Sequence, residues 1–176
     1  MKSIAIAACL GLLCQAAGDP AVPRPDGSRV GPGPATILAA DTLGIDGSRI
    51  RLWGLSLKDS ARSCPDYAPE ADCLAGAVWE LEHLIKDYDV RCDLLGADQA
   101  DGRKAGRCEV RYDECYGVTC QIRWRDISEE LISAGVVVQD RAESGGRYDE
   151  VEETARYGAS GLWATTDGGR RADAPD

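Results

Sequence analysis

Ile37-Leu38-Ala39-Ala40-Asp41-Thr42-Leu43-Gly44-Ile45-Asp46-Gly47-Ser48-Arg49-Ile50-Arg51-Leu52-Trp53-Gly54 is the stretch on which the fold turns. Ile37, Ala39, Asp41, Leu43 and Ile45 fall on one face of an alternating run, the period of a half-buried strand. Asp46-Gly47 is a hairpin turn signal, because both positions tolerate positive φ. Arg49 to Trp53 then reads as the return strand.

Working outward, Pro69 to Tyr88 reads as a helix, with Pro69 in its first turn. Leu74, Val78, Leu81 and Ile85 recur at helical spacing. Val90 to Leu95 and Arg107 to Arg111 read as two strands joined by the loop 96–106. Gln121 to Trp124 reads as a short strand. Asp126 to Ala134 reads as a helix, with Asp126 as N-cap, Glu129 three residues on and Gly135 closing it. Tyr148 to Ser160 reads as a last helix. Short strands with an intervening helix suggest a small closed sheet of OB type, within the α+β class.

The ends have a different character. Met1-Lys2-Ser3, the apolar run Ile4 to Cys14 and the small-residue exit Ala16-Ala17-Gly18 read as a secretory signal over 1–18. The apolar run is too short to span a bilayer as a helix, which takes ~20 residues. Residues 19–34, rich in Pro and Gly, read as a flexible lead-in. The folded body is 35–166, and 167–176 reads as a disordered tail. The destination is export, to the periplasm or the medium.

Without the signal, Cys9 and Cys14 are lost, and Cys64, Cys73, Cys92, Cys108, Cys115 and Cys120 remain. An even set in an exported chain argues for disulfides. The spacing forms no paired CxxC knuckles and His83 is the single histidine, so structural zinc is the lesser alternative. The chain carries a net charge of −10, and loss of Lys2 makes it more acidic. That opposes non-specific nucleic-acid binding, which phosphate neutralisation drives, yet it permits a local basic pocket.

Asp41-Thr42, Arg49-Ile50-Arg51-Leu52-Trp53-Gly54, Asp101-Gly102-Arg103 with Ala105 and Cys108, Leu131 to Gly135, and Tyr148…Glu152…Ala155-Arg156…Gly161-Leu162-Trp163 together resemble the staphylococcal-nuclease-like (thermonuclease) family. The matching stretches span 35–166. The placements of Cys64/Cys73 and Cys92/Cys108 resemble that family's exported bacterial branch. The resemblance implies an OB-fold, a five-stranded β-barrel with about three helices, and calcium-dependent cleavage of DNA and RNA. Single-stranded nucleic acid is the implied partner.

By resemblance, Asp41 is the first metal-binding aspartate, Arg51 clamps the scissile phosphate, and Arg103 stabilises the transition state. The family's second metal aspartate is here Ser56, its water-orienting glutamate is Asp59, and the proline between them is Lys58. Ala68-Pro69-Glu70 is not a displaced copy, because Cys64 already falls in register with Arg51. Calcium needs six or more oxygen ligands anchored by carboxylates, so the resemblance implies calcium as cofactor only weakly. Asp59 is one methylene shorter than glutamate. The expectation is a degenerate nuclease site with weak or lost catalysis. The alternative is a non-catalytic OB-fold module binding an envelope polyanion, an oligosaccharide or a protein.

Plainer readings stand beside these. Arg51 pairs with Asp59 or Asp41 as a structural salt bridge, and Arg103 is a loop residue. Glu150, Glu152 and Glu153 form a solvated helix face. Trp53, Trp79, Trp124 and Trp163 pack the core or its rim. For the cysteines, the expected pairs are Cys64–Cys73 before the first helix, Cys92–Cys108 across neighbouring strands, and Cys115–Cys120 in a short hairpin, the last mainly by elimination.

Overall fold

The Asp46-Gly47 turn forms as expected, with φ of 49° and 75°. It joins β3 (Thr42–Ile45) to β4 (Ser48–Leu52) in an antiparallel pair. The computed structural model describes residues 25–64, 66–67, 72–96 and 101–164. The signal 1–18, the tail 167–176 and Pro69 lie outside the described residues.

The alternating run preceding the turn is broken. Residues 36–39 form β2 (Thr36–Ala39), the chain turns at Ala40-Asp41, and β3 runs back antiparallel to β2. The Asp41 carbonyl accepts from the Leu52 amide at 2.7 Å, which fixes the turn to β4. Leu43, Ile45, Ile50 and Leu52 are buried, as their alternation requires.

The lead-in reading needs correction at 25–33. These residues form β1 (Pro25–Gly33), antiparallel to β6 (Val90–Leu95), with register shifts between paired positions. Glycine here permits close backbone approach: a Cβ on Gly31 would collide with the Val90 carbonyl and lie 3.2 Å from the Arg91 Cα.

β7 (Lys104–Tyr116) is longer than expected and organises the sheet. It pairs antiparallel with β6, parallel with β4, and antiparallel with β8 (Thr119–Asp126). The seven-stranded sheet has the order β1-β6-β7-β4-β3-β2, with β8 branching from β7. Among the described residues this path does not close by hydrogen bonds into a barrel. Its two end strands, β1 and β2, are consecutive in the chain, separated by Pro34 and Ala35. A second, two-stranded ribbon pairs β5 (Leu55–Ser56) with β9 (Val138–Gln139).

Helix α1 (Cys73–Ile85) begins later and ends sooner than its periodicity suggests. Asp72 caps it, accepting from the Ala75 amide at 2.8 Å, and Cys73, Ala77, Leu81 and Ile85 are buried. Helix α2 (Ile127–Ser133) starts where expected, with the Asp126 carboxylate accepting from the Ser128 and Glu129 amides. Its Ile127, Leu131 and Ile132 are fully buried. The short α3 (Arg141–Ser144) was not anticipated. The last helix, α4 (Asp149–Tyr157), is shorter than read and is followed by a 3-10 turn at Gly161–Trp163.

Three disulfides join Cys64 to Cys73, Cys92 to Cys108 and Cys115 to Cys120. Cys92 and Cys108 are register partners on β6 and β7, and both are fully buried. Cys115 and Cys120 are register partners near the tip of the β7–β8 hairpin. Among the described residues no helix is long and apolar enough to cross a membrane.

Candidate functional site

Strand register gathers three of the expected site residues. Thr42 pairs with Arg51 across β3 and β4, and Arg51 pairs with Ala105 across β4 and β7. Arg51 on β4 is therefore flanked by Asp41, just before β3, and Arg103, just before β7. Ile50 and Leu52 point into the core, so alternation turns Arg51 to the opposite side of β4.

Both guanidiniums already have carboxylate partners. Arg103 Nη1 donates to Thr42 Oγ1 at 3.0 Å and lies 3.4 Å from Asp41 Oδ1, while its Nε donates to Asp101 Oδ2 at 2.6 Å. The Arg103 backbone amide, and then its guanidinium, hold the exposed Asp101 carboxyl below its usual range. Asp41 also accepts from its neighbour Thr42, whose hydroxyl reaches Oδ1 at 2.6 Å.

Arg51 forms a salt bridge with Glu143, their side chains only 15% and 21% exposed. The other Glu143 oxygen accepts from the Gly54 amide at 2.8 Å. The plain reading of Arg51 as a structural ion pair thus has a partner different from Asp41 or Asp59. Sequence reasoning missed Glu143. A signal was present: Asp140-Arg141-Ala142-Glu143 has capping-box spacing, and Gly145-Gly146 ends the helix. Asp140 caps α3 through the Ala142 and Glu143 amides, and Gly145 closes it in the left-handed region. The Glu143 carboxylate is directed across to β4 rather than back to the cap.

Ser56 lies in β5 and Asp59 in the turn that follows it. Ser56 pairs with Val138 in the β5–β9 ribbon, and its hydroxyl accepts from the Lys58 amide at 3.3 Å. Asp59 is exposed and lines a cleft of about 700 Å³ with Gln139, Asp149, Glu152 and Trp163. Asp41, Arg51 and Arg103 are not among that cleft's lining residues. Asp41 and Arg103 thus meet directly, with Arg51 on the strand between them, and Asp59 lines the cleft with Gln139 and Glu152.

The donor set does not fit calcium. One carboxylate, Asp41, is engaged by a guanidinium and a hydroxyl. Among the described residues no group of three or more His, Cys, Asp or Glu side chains is placed to hold one ion.

On helix α4, Glu150 and Glu153 are exposed as read, and Glu152 departs from that reading. Glu152 is buried: Oε2 accepts from the Gln139 amide at 3.0 Å, and Oε1 pairs with Arg156. Burial elsewhere raises two carboxyls. Asp126 is pushed up by desolvation against the lowering effect of the Tyr148 hydroxyl, and Glu130 is raised by desolvation against Arg125. Tyr148 is itself raised, by desolvation first and then by Asp126.

No family model matches the chain. The chain is similar to a succinoglycan biosynthesis protein, ExoI, of Rhizobium meliloti (strain 1021), with 23% identity over 133 residues. The match covers 74% of this chain and 63% of that relative, so the chain spans less than two thirds of the relative's length.

Proposed function

We propose that the chain is an exported domain on the thermonuclease plan whose phosphodiester chemistry is weak or lost. The pairing of Arg51 with Glu143 carries this reading. A phosphate that engages Arg51 competes with Glu143, and full displacement of that carboxylate also takes the acceptor from the Gly54 amide. An unmet buried donor costs about 1–3 kcal/mol, a barrier absent from an open phosphate clamp. Arg103 faces similar competition from Asp41 and Asp101. Ser56 in place of a carboxylate, and Asp59 one methylene shorter than glutamate, support the loss of a well-placed attacking water.

The OB reading is supported by the succession of β1 and β2. If 25–39 acts as one bent strand, it bridges β6 and β3, and the sheet path becomes a circuit. Export is supported by the three disulfides and by the apolar run Ile4 to Cys14.

The filled guanidiniums favour a second reading, a non-catalytic module that binds an envelope polyanion, an oligosaccharide or a protein. The relative's name refers to biosynthesis of a glycan, so the oligosaccharide is the ligand class to test first.

The test is cleavage of single-stranded DNA by the oxidised domain, with calcium against chelator, beside an Arg51→Ala/Arg103→Ala control. The expected result is no calcium-dependent cutting above the control. Calcium-dependent cutting that the control abolishes sinks the degenerate-site reading.

A further inference from the structure

The cleft of about 700 Å³ takes no part in the Arg51 and Arg103 pairings. Its volume lies within the roughly 300–1,000 Å³ typical of ligand pockets. Its lining comes from β9, α3, α4 and the 3-10 turn, together with Asp59.

The polar side chains there are held in place by one another. Gln139 stands at the junction. Its Nε2 donates to Asp149 Oδ1 at 2.5 Å, and its Oε1 accepts from Ser144 Oγ at 3.0 Å. Asp149 Oδ1 also pairs with Arg141 at 3.0 Å, so both of these contacts fall on one carboxylate oxygen. From the Gln139 backbone a second chain runs through Glu152 to Arg156, whose guanidinium lies 4.0 Å over the Trp163 ring. Trp163 Nε1 has no acceptor among the described residues.

Such a network pre-orients planar groups, and each retains bonding capacity beyond its internal contacts. Planar amides, carboxylates and guanidiniums suit vicinal hydroxyls, which donate and accept together. A polyanion is disfavoured, because Asp59, Asp149, Glu152 and Glu153 outnumber Arg141 and Arg156. An apolar ligand is disfavoured too, because Val138 is the sole aliphatic residue in the lining.

We propose that this cleft binds a neutral oligosaccharide, with sugar hydroxyls bridging Gln139, Asp149 and Arg156. The proposal rests on the binding-module reading and locates the binding away from Arg51 and Arg103.

The test is an NMR titration of the oxidised full chain with cellotetraose, maltotetraose and mannotetraose, followed at the Trp163 indole and the Gln139 side-chain amide. At least one tetraose shifts both signals saturably. Asp149→Ala weakens that binding about tenfold or more. Glu153→Arg, an exposed change that places a long cation in the cleft, weakens it as well. An unchanged amide spectrum elsewhere reports that each variant folds.

No shift with any tetraose at millimolar concentration overturns the proposal. So does binding indifferent to both variants. The DNA-cleavage result separates the two levels: calcium-dependent cutting removes the underlying reading, whereas absent cutting with no sugar binding removes only this inference.

Discussion

Glu143 joins the Arg51 guanidinium to the Gly54 amide, one carboxylate oxygen on each. Glu143→Ala breaks both contacts and leaves a partly buried cation without its acid. The expected loss of stability is about 2–3 kcal/mol by urea denaturation. The same variant removes a competing carboxylate from Arg51, so affinity for a single-stranded oligonucleotide rises and becomes more salt-dependent. Fluorescence anisotropy at two salt concentrations measures this. Unchanged affinity means that Glu143 does not limit access to Arg51.

Restoring the family's acids does not by itself restore cutting. Ser56→Asp with Asp59→Glu restores both acids, while Glu143 still holds Arg51. Calcium-dependent cleavage therefore stays at background in the double variant and rises only when Glu143→Ala is added. A large gain from the double variant alone contradicts this arrangement.

The disulfides contribute unequally. Cys92–Cys108 closes the longer loop and lies in the core, whereas Cys115–Cys120 closes a short, exposed hairpin. Loop-closure entropy alone assigns about 3 kcal/mol to the first and about 2 kcal/mol to the second. Alanine in place of both buried sulfurs adds a packing loss. Guanidinium midpoints of the two double-alanine variants check the order, and equal midpoints refute it.

Asp126 gives stability a pH dependence of definite sign. Its folded-state carboxyl is raised by burial, so the native state binds its proton more tightly than the unfolded chain. That contribution is fully present below the ordinary aspartate range and is lost as pH rises through the elevated folded value. Glu130 acts in the same direction. Tyr148 and Arg147 face Asp126, at 3.0 Å and 3.8 Å, and oppose the shift in part. Asp126→Asn keeps an N-cap acceptor and removes the ionisation. The wild-type-minus-variant stability therefore falls with rising pH across this window, as thermal melts in a pH series will register. A difference that rises or stays flat contradicts the assignment.

Local chemistry was legible where local chemistry decides. The Asp46-Gly47 turn, the Asp126 cap and the strands about Cys92 and Cys108 follow from turn preference, capping and alternation. Long-range choices were less legible. Residues 25–33 read as loose because Pro and Gly disfavour strands in isolation, yet the backbone of β6 accepts them. Asp41, Arg51 and Arg103 came from a resemblance, and strand register does gather them. The neutralisation of Arg51 could not be read from the motif, because Glu143 comes from a short helix far along the chain. Periodicity likewise gave Glu152 to solvent, although its bonds run to Gln139 and Arg156.

The parallel contact between β4 and β7 has a kinetic consequence. It links Ile50 to Lys104 across α1 and β6, so its loop entropy must be met before the pairing contributes anything. The β6–β7 hairpin is local by comparison and can be locked early by oxidation of Cys92 and Cys108. Arg51 and Arg103 are therefore expected to become neighbours late in folding. Chains caught before then should present both arginines to solvent separately, with neither carboxylate partnership across the strands yet formed.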